Sequence, residues 1–150
     1  MEKQTLLELN FNIWLLIADL HHKILLVRQK ELSHYRISTR QLHILRLIEA
    51  LGAEAKLSEI AKKADRKHDV ISRQAIILER DGLIKRLKET PKSRLLRLEL
   101  TDEGKKMMKI SRYSQGMNQA LSVLNKDELL QMRSALNRVL IKLNQYSIEN

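Results

Sequence analysis

The longest hydrophobic pattern in the chain lies near its start. Between residues 5 and 33, apolar residues recur at three- and four-residue steps, and no glycine or proline interrupts them. This spacing predicts one amphipathic helix, with apolar positions at Leu6, Leu9, Ile13, Leu16, Leu20, Ile24 and Val27. A rise of about 1.5 Å per residue makes it about 40 Å long, more than one side of a small domain covers. Part of it is therefore expected to meet a second chain, because the stripe is widened by Leu7, Leu15, Ile17 and Leu25.

Three shorter helices are predicted to follow. Ser38 is a suitable N-cap for the first, which is expected to end at Gly52 and to bury Leu42, Ile44, Leu45, Leu47 and Ile48. The second lies in KLSEIAKKAD, with Ser58 as its expected N-cap. The third lies in RKHDVISRQAIILERDG and is expected to stop at Gly82, burying Val70, Ile71, Ala75 and Leu78. Such short helices joined by a tight polar turn predict a tri-helical helix-turn-helix.

The hydrophobic period changes from helical to alternating after Gly82. The segments LIKRLKE and RLLRLEL predict two strands, with Leu96, Leu98 and Leu100 on one face. The polar link between them, ETPKS, holds the only proline. Thr101 is the expected N-cap of a helix running to about Met117, and a last amphipathic helix begins near Lys126. The predicted fold is mainly α with a small β-hairpin wing, a winged helix-turn-helix with long N- and C-terminal helices.

Composition limits the class of protein. The 150 residues, 43% of them hydrophobic, suffice for one domain with its own core. The chain has no cysteine, which excludes disulfides, thiolate nucleophiles and zinc fingers. No apolar run approaches the roughly 20 residues of a membrane span, and the start MEKQTLLELN lacks the order of a signal peptide. We therefore expect a cytoplasmic protein that does not contact membranes.

The positive charge is concentrated in one segment. The chain has a net charge of +10, and residues 66–112 hold fourteen Lys and Arg against seven Asp and Glu. A basic segment that also carries hydrophobic periodicity favours a polyanion partner, most simply nucleic acid. The alternative is a basic surface that only keeps the protein soluble.

No catalytic pattern stands out in the sequence. HExxH, GxSxG and a glycine-rich phosphate loop are all missing, and the chain has four glycines. We therefore expect no enzyme activity, no cofactor and no metal.

These segments, in this order, resemble the MarR family of bacterial transcription regulators. The resemblance runs from STRQLHILRLI at Ser38 through LSEIAKKAD, LERDGLIKR and the wing to LTDEG. Its most specific part is Gly82-Leu83, followed at the family's usual distance by Leu100-Thr101 and Gly104. It implies homodimers whose first and last helices interlock above two winged helices that face double-stranded DNA. For this chain it implies a single domain over residues 1–150, with dimerisation helices at about 5–35 and 105–146 and a DNA-binding part at about 38–104.

The chain departs from the family pattern at two places. Where the family often carries Asp-Arg-Arg in the wing, this chain has Lys92-Ser93-Arg94, so the acid that commonly pairs with arginine is replaced. We therefore expect a wing tip that is more mobile until DNA supplies counter-charges. Lys67 stands where the family commonly has a small polar cap at the start of the recognition helix. The alternatives are that Asp65 caps this helix or that Asp69 begins it later.

The residues expected to contact DNA lie in three places. A recognition helix enters the major groove N-terminal end first, which selects Lys67, His68, Asp69, Ser72 and Arg73. Arg73 is suited to donate two hydrogen bonds to a guanine edge. For Asp69 three roles stay open: it caps the helix, pairs with Arg73 or accepts a hydrogen bond from cytosine. In the wing, Arg94 is expected in the minor groove, with phosphates held by Lys88, Lys92 and Ser93. Lys56 and Ser58 are further phosphate contacts.

The resulting hypothesis is a sequence-specific DNA-binding transcription regulator, a homodimeric repressor that binds a palindromic operator. The alternative is a winged-helix module for protein interaction or for sequence-blind nucleic-acid binding. The resemblance also implies a small anionic or phenolic effector in a crevice between the dimerisation helices and the winged helix. Residues considered for that crevice are Trp14, Tyr35, His43 and Tyr113, without an assignment.

Overall fold

A computed structural model of the protein describes residues 5–149. The first four helices are α1 (Leu6–Leu32), α2 (Thr39–Leu51), α3 (Leu57–Lys63) and α4 (His68–Arg80). A hairpin of β1 (Ile84–Lys88) and β2 (Leu96–Leu100) follows, and then α5 (Asp102–Arg112), α6 (Gln115–Leu121) and α7 (Lys126–Glu149). The predicted fold class, mainly α with a two-stranded antiparallel wing, is confirmed. The chain divides into two compact units, one up to Ser114 and one from Gln115 onward.

The core of the first unit is built mainly from apolar side chains of the helices α1 to α5 and of the hairpin. Its largest fully buried members are Leu32, Ile44, Leu45, Ile60, Ile71, Leu78, Ile84 and Leu98. The helix starts are fixed locally, because Thr5 with Glu8 and Ser38 with Gln41 form capping boxes. Ser38 is therefore the N-cap that the sequence predicts, and Gly52 ends α2 at φ 52°.

The ends of α3 and the start of α4 correct three expectations about helix caps. Lys56, not Ser58, is the N-cap of α3, since Lys56 is held extended in an isolated β-bridge to Arg97. Asp65 does not cap α4, because it adopts φ 49° to end α3 in a Schellman turn, with the N–H of Arg66 bonded to Ala61 O at 3.0 Å. Helix α4 starts at His68 rather than later at Asp69, and its N-cap Lys67 makes no side-chain cap bond.

The base of the wing is attached to the segments before α3 and after α4. Strands β1 and β2 pair from Ile84 with Leu100 to Lys88 with Leu96, and Leu98 donates its N–H to Ala55 O at 2.8 Å. Leu98 is buried while Leu96 and Leu100 are partly buried, so the predicted apolar face of β2 is confirmed. At the end of β2, Thr101 caps α5 and donates its hydroxyl to Gly82 O at 2.6 Å.

The helix after the wing is shorter than predicted. It ends at Arg112, not at Met117, and Tyr113 is extended. The cause is Arg28 of α1, which donates to Ser111 O at 2.8 Å and to Tyr113 O at 3.3 Å. These carbonyls are the groups that a continuing helix would use for its own bonds.

The second unit consists of α6 and α7. Helix α7 begins at Lys126, as the sequence predicts, with Asn125 Oδ1 accepting from the N–H groups of Asp127 and Glu128. Its apolar residues Met132, Leu136, Leu140 and Leu143 are all exposed in the single chain. Across the described part of the chain, no helix has the length and apolarity to cross a membrane.

Candidate nucleic-acid interface

Helix α4 has one buried face and one exposed face. Ile71, Ala75 and Leu78 are buried in the core. The opposite face is exposed and carries Asp69, Arg73, Ile76 and Arg80 at steps of three and four residues. The predicted contact residues Lys67, His68, Asp69 and Arg73 are exposed, and Ser72 is half-buried at the edge of this face. The N-terminal half of α4 is thus free to meet a groove of about 12 Å width, that of the B-DNA major groove.

Asp69 and Arg73 form an ion pair on this exposed face. The two residues lie one helical turn apart, and the distance from Arg73 Nη2 to Asp69 Oδ2 is 3.1 Å. Both side chains are about two-thirds exposed. This is one of the pairings that the sequence left open for Asp69. An exposed pair contributes only about 0–1 kcal/mol, so little energy opposes the transfer of Arg73 to a base edge.

The two α3 residues lie beside the wing. Lys56 is half-buried, since its backbone bridges to Arg97 of β2, whereas Ser58 is exposed in the first turn of α3. Helix α3 packs on both α4 and β2. The predicted phosphate contacts on α3 and the base contacts on α4 therefore belong to one packed body.

The wing tip is a proline turn with unpaired cations. Ser93 donates its N–H to Thr90 O at 2.9 Å, which places Pro91 at the second position of the turn, the position that proline favours. Ser93 Oγ also accepts from Leu95 N at 3.1 Å. Lys88, Lys92 and Arg94 are exposed, and within the described residues none of the three forms an ion pair. A serine turn thus shapes the tip where the family often has an acid.

The structure exposes further residues beside the predicted DNA contacts that the sequence analysis did not select. Ile76 is 48% exposed in the middle of the outward face of α4, and an aliphatic group there suits contact with a thymine methyl. Lys62, Lys63 and Arg66 are exposed around the turn before α4. The sequence carries a signal for this exposure, since position 76 falls outside the stripe formed by residues 71, 75 and 78.

A cavity of about 530 Å³ lies on the side of the first unit formed by α1, α2 and the start of α4. Its lining includes Arg28, Arg40, Arg46 and Arg66 with His21 and His43, and none of its described lining residues carries a carboxylate. Burial and the neighbouring Arg46 lower the pKa of His43 below its ordinary value. Of the four residues considered for an effector crevice, His43 lines this cavity, and Trp14, Tyr35 and Tyr113 do not.

The described residues contain no group of three or more His, Asp or Glu side chains placed to hold a metal ion. The exposed basic residues of α3, α4 and the wing are therefore the chemically distinctive feature of the first unit, together with the arginine-lined cavity.

Comparison with known proteins agrees with the family resemblance that the sequence motifs indicate. The MarR family model matches residues 37–91. The structure is similar to Staphylococcus aureus MepR in its DNA complex, with a TM-score of 0.71 and 27% identity over 85% of this chain and 95% of that chain. It is also similar to MepR described as a transcription regulator of the multidrug efflux pump MepA, with a TM-score of 0.67, 27% identity and coverages of 85% and 96%.

A third structure shares the fold. The organohalide-sensing regulator RdhR-CbdbA1625, in a form with bound 2,4-dichlorophenol, is 19% identical, with a TM-score of 0.70 and coverages of 93% of this chain and 85% of that chain. A search of curated protein sequences gave no match.

Proposed function

Because the chain is a MarR-family winged helix-turn-helix protein, a DNA-binding transcription regulator, we propose that it is a homodimeric repressor of a palindromic operator. The proposal includes cytoplasmic action on double-stranded DNA, without enzymatic chemistry. Each subunit would read one half-site, and the two recognition helices would lie about 34 Å apart, one helical turn of the duplex.

One observation carries the proposal of sequence-specific reading. The N-terminal face of α4 is exposed and carries Arg73, held only by an exposed ion pair, while the wing holds Arg94 without any ion pair among the described residues. Arg73 would donate two hydrogen bonds to a guanine edge, and Arg94 would enter a narrow minor groove. Contacts to phosphates would come from Lys56, Ser58, Lys67, Lys88, Lys92 and Ser93, and His68 would be a neutral contact.

The test begins with selection of bound duplexes from a random-sequence pool, followed by footprinting. We expect a protected palindrome. Arg94→Ala should weaken binding to the selected site by about 1–3 kcal/mol and relax selectivity at one position. Lys92→Ala is the matched control in the same loop, because loss of a phosphate contact should weaken all duplexes alike and lower the salt slope by about one. Equal binding of the unmodified protein to every duplex would refute the proposal.

The proposed dimer rests on the exposed apolar face of α1. Ten large apolar residues between Leu6 and Leu20 are at least 38% exposed in the single chain. Exposed apolar area of this extent marks an interaction site in soluble proteins. A second copy, applying its own α1 and α7, would bury it and would place two wings on one duplex, where they would block access of other proteins to a promoter.

We also propose that an anionic small molecule relieves repression. The arginine-lined cavity supports this, since the guanidinium groups of Arg40, Arg46 and Arg66 would attract a carboxylate or phenolate, while Arg28 is paired with Glu31. Ile71 of the recognition helix forms part of its lining, so that an occupant would bear on the element that reads DNA.

The rival function is a winged-helix module for protein interaction or for sequence-blind nucleic-acid binding. The Arg94→Ala and Lys92→Ala pair separates these functions. Sequence-blind binding predicts the same uniform loss for both variants, and an interaction module predicts no effect of either on DNA.

A further inference from the structure

The carboxylate of Glu79 joins the recognition helix to the wing. Glu79 lies in the last turn of α4, and its Oε2 accepts from Arg86 Nε at 2.6 Å. Its other oxygen, Oε1, accepts from the backbone N–H of the same Arg86 at 3.1 Å. Both side chains are about one-third exposed. One carboxylate therefore holds the main chain and the side chain of a single residue of β1.

The hairpin register explains why the N–H of Arg86 is available. Arg86 pairs with Leu98 across the hairpin, and Leu98 directs its N–H outward to Ala55 O. In an antiparallel ladder, the two residues of a pair that is not hydrogen-bonded both point their N–H groups away from each other. The wing is thus held on one edge by Ala55 and on the other edge, at the same register position, by Glu79.

The tip of the wing has no comparable attachment. Beyond Lys88, the bonds within residues 90–95 are local to the turn. The position of Arg94 relative to Arg73 is consequently set at the base of the hairpin, where Glu79 and Ala55 hold it. The neighbouring pair Arg80–Asp81 differs, since it joins two residues that are adjacent in the chain.

We propose that Glu79 is a positioning residue for DNA reading, which fixes the wing to the recognition helix so that both contact one operator half-site in register. The inference rests on the proposed function. The inference predicts a change in affinity opposite to that of charge alone. Removal of a negative charge near DNA should strengthen binding to any duplex, whereas loss of the contacts between Glu79 and Arg86 should weaken binding to the operator alone.

The experiment compares Glu79→Gln with Asp81→Asn, which makes the same charge change two residues away. Affinity is measured for the selected site and for a scrambled duplex at one salt concentration. We expect Asp81→Asn to leave the ratio of the two affinities unchanged. Glu79→Gln should lower the ratio by about tenfold, the lower range of one base contact, with loss of footprint at the wing positions only.

Hydrogen exchange supplies a readout that does not depend on DNA. The Arg86 amide should be protected in the unmodified protein and should exchange faster in Glu79→Ala, which leaves no acceptor at this position, while the Leu98 amide stays protected. Slow exchange at Arg86 in Glu79→Ala, or an affinity ratio of Glu79→Gln equal to that of Asp81→Asn, would overturn the inference. If Glu79→Gln does not fold, Arg86→Gln replaces it, with Arg112→Gln as the control that removes the same charge from another ion pair. The same fall in ratio is then expected for Arg86→Gln only. A protein that binds every duplex equally, with a protected Arg86 amide, would instead refute the proposed function.

Discussion

At the residue scale, Gly104 shows why the sequence stretch LTDEG follows the wing. A Cβ atom at position 104 would overlap the carbonyl oxygen of Leu83 and come within 3.4 Å of Leu100 Cδ2. The same Leu83 oxygen accepts from Thr101 N at 3.1 Å, and Gly104 N donates to Thr101 Oγ1 at 3.0 Å. The first turn of α5 therefore packs directly on Leu83, the residue before β1.

Gly104→Ala is expected to destabilise the protein by about 1–3 kcal/mol, because the added methyl group forces α5 away from backbone that cannot yield. Urea unfolding followed by circular dichroism measures this. Lys105→Ala, at the next and exposed position, should stay within about 0.5 kcal/mol of the unmodified protein. Equal stability of Gly104→Ala and Lys105→Ala would show that the close approach is not required.

At the element scale, α1 has more apolar side chains than its own subunit buries. Only Leu32, at its end, is buried, while Leu6, Phe11, Trp14 and Leu16 are more than half exposed. The helix forms nevertheless, since 27 residues without glycine or proline and a capping box at Thr5 favour it locally. Its apolar faces are what the proposed dimer would cover.

Leu16→Lys is expected to shift the protein from dimer toward monomer, because a lysine would be buried in the proposed interface without a partner. Sedimentation equilibrium measures the association constant. Gln29→Lys, also exposed on α1 but outside the segment from Leu6 to Leu20, is the control for added charge and should leave the dimer intact. A monomeric unmodified protein, or equal association of Leu16→Lys and the unmodified protein, would contradict the dimer through this face.

At the scale of the whole molecule, two surfaces of the first unit hold positive charge in different surroundings. The wing and α4 present cations to solvent, whereas the cavity gathers Arg28, Arg40, Arg46 and Arg66 around an apolar lining. Arg28 is already engaged with Glu31 at 2.7 Å and with the end of α5. The remaining arginines of the cavity are those that an anionic effector would meet.

A small aromatic carboxylate such as benzoate is expected to weaken operator binding by roughly fivefold or more, the usual lower range of allosteric coupling. Gel shifts at constant ionic strength, with acetate as the comparison anion, separate this effect from salt competition. Arg40→Ala should reduce the benzoate effect and keep the general salt dependence. An identical response to benzoate and acetate would refute the anionic effector.

Much of the fold could be predicted from the sequence, because the determining interactions are local in the chain. The bounds of α1, the Ser38 cap of α2, the start of α7 and the inward face of β2 all follow from periodicity and capping residues three positions apart. The exposure of Arg73 and Arg94 was likewise predictable, whereas their contact with DNA stays a prediction, as does the division into dimerisation and DNA-binding parts.

Tertiary contacts decided the features that the sequence left open or misplaced. Arg28 ends α5 early from 83 residues away in the chain, Arg97 fixes Lys56 as the cap of α3, and Glu79 reaches Arg86 across the turn at Gly82. In each case a side chain or strand from another element satisfies a backbone group that local rules assign differently. The sequence by itself thus determined which segments form helices and strands, because those preferences act within a few residues. Only the packed structure decided where several of them end and how the wing is held, because buried backbone groups must find partners wherever the fold supplies them.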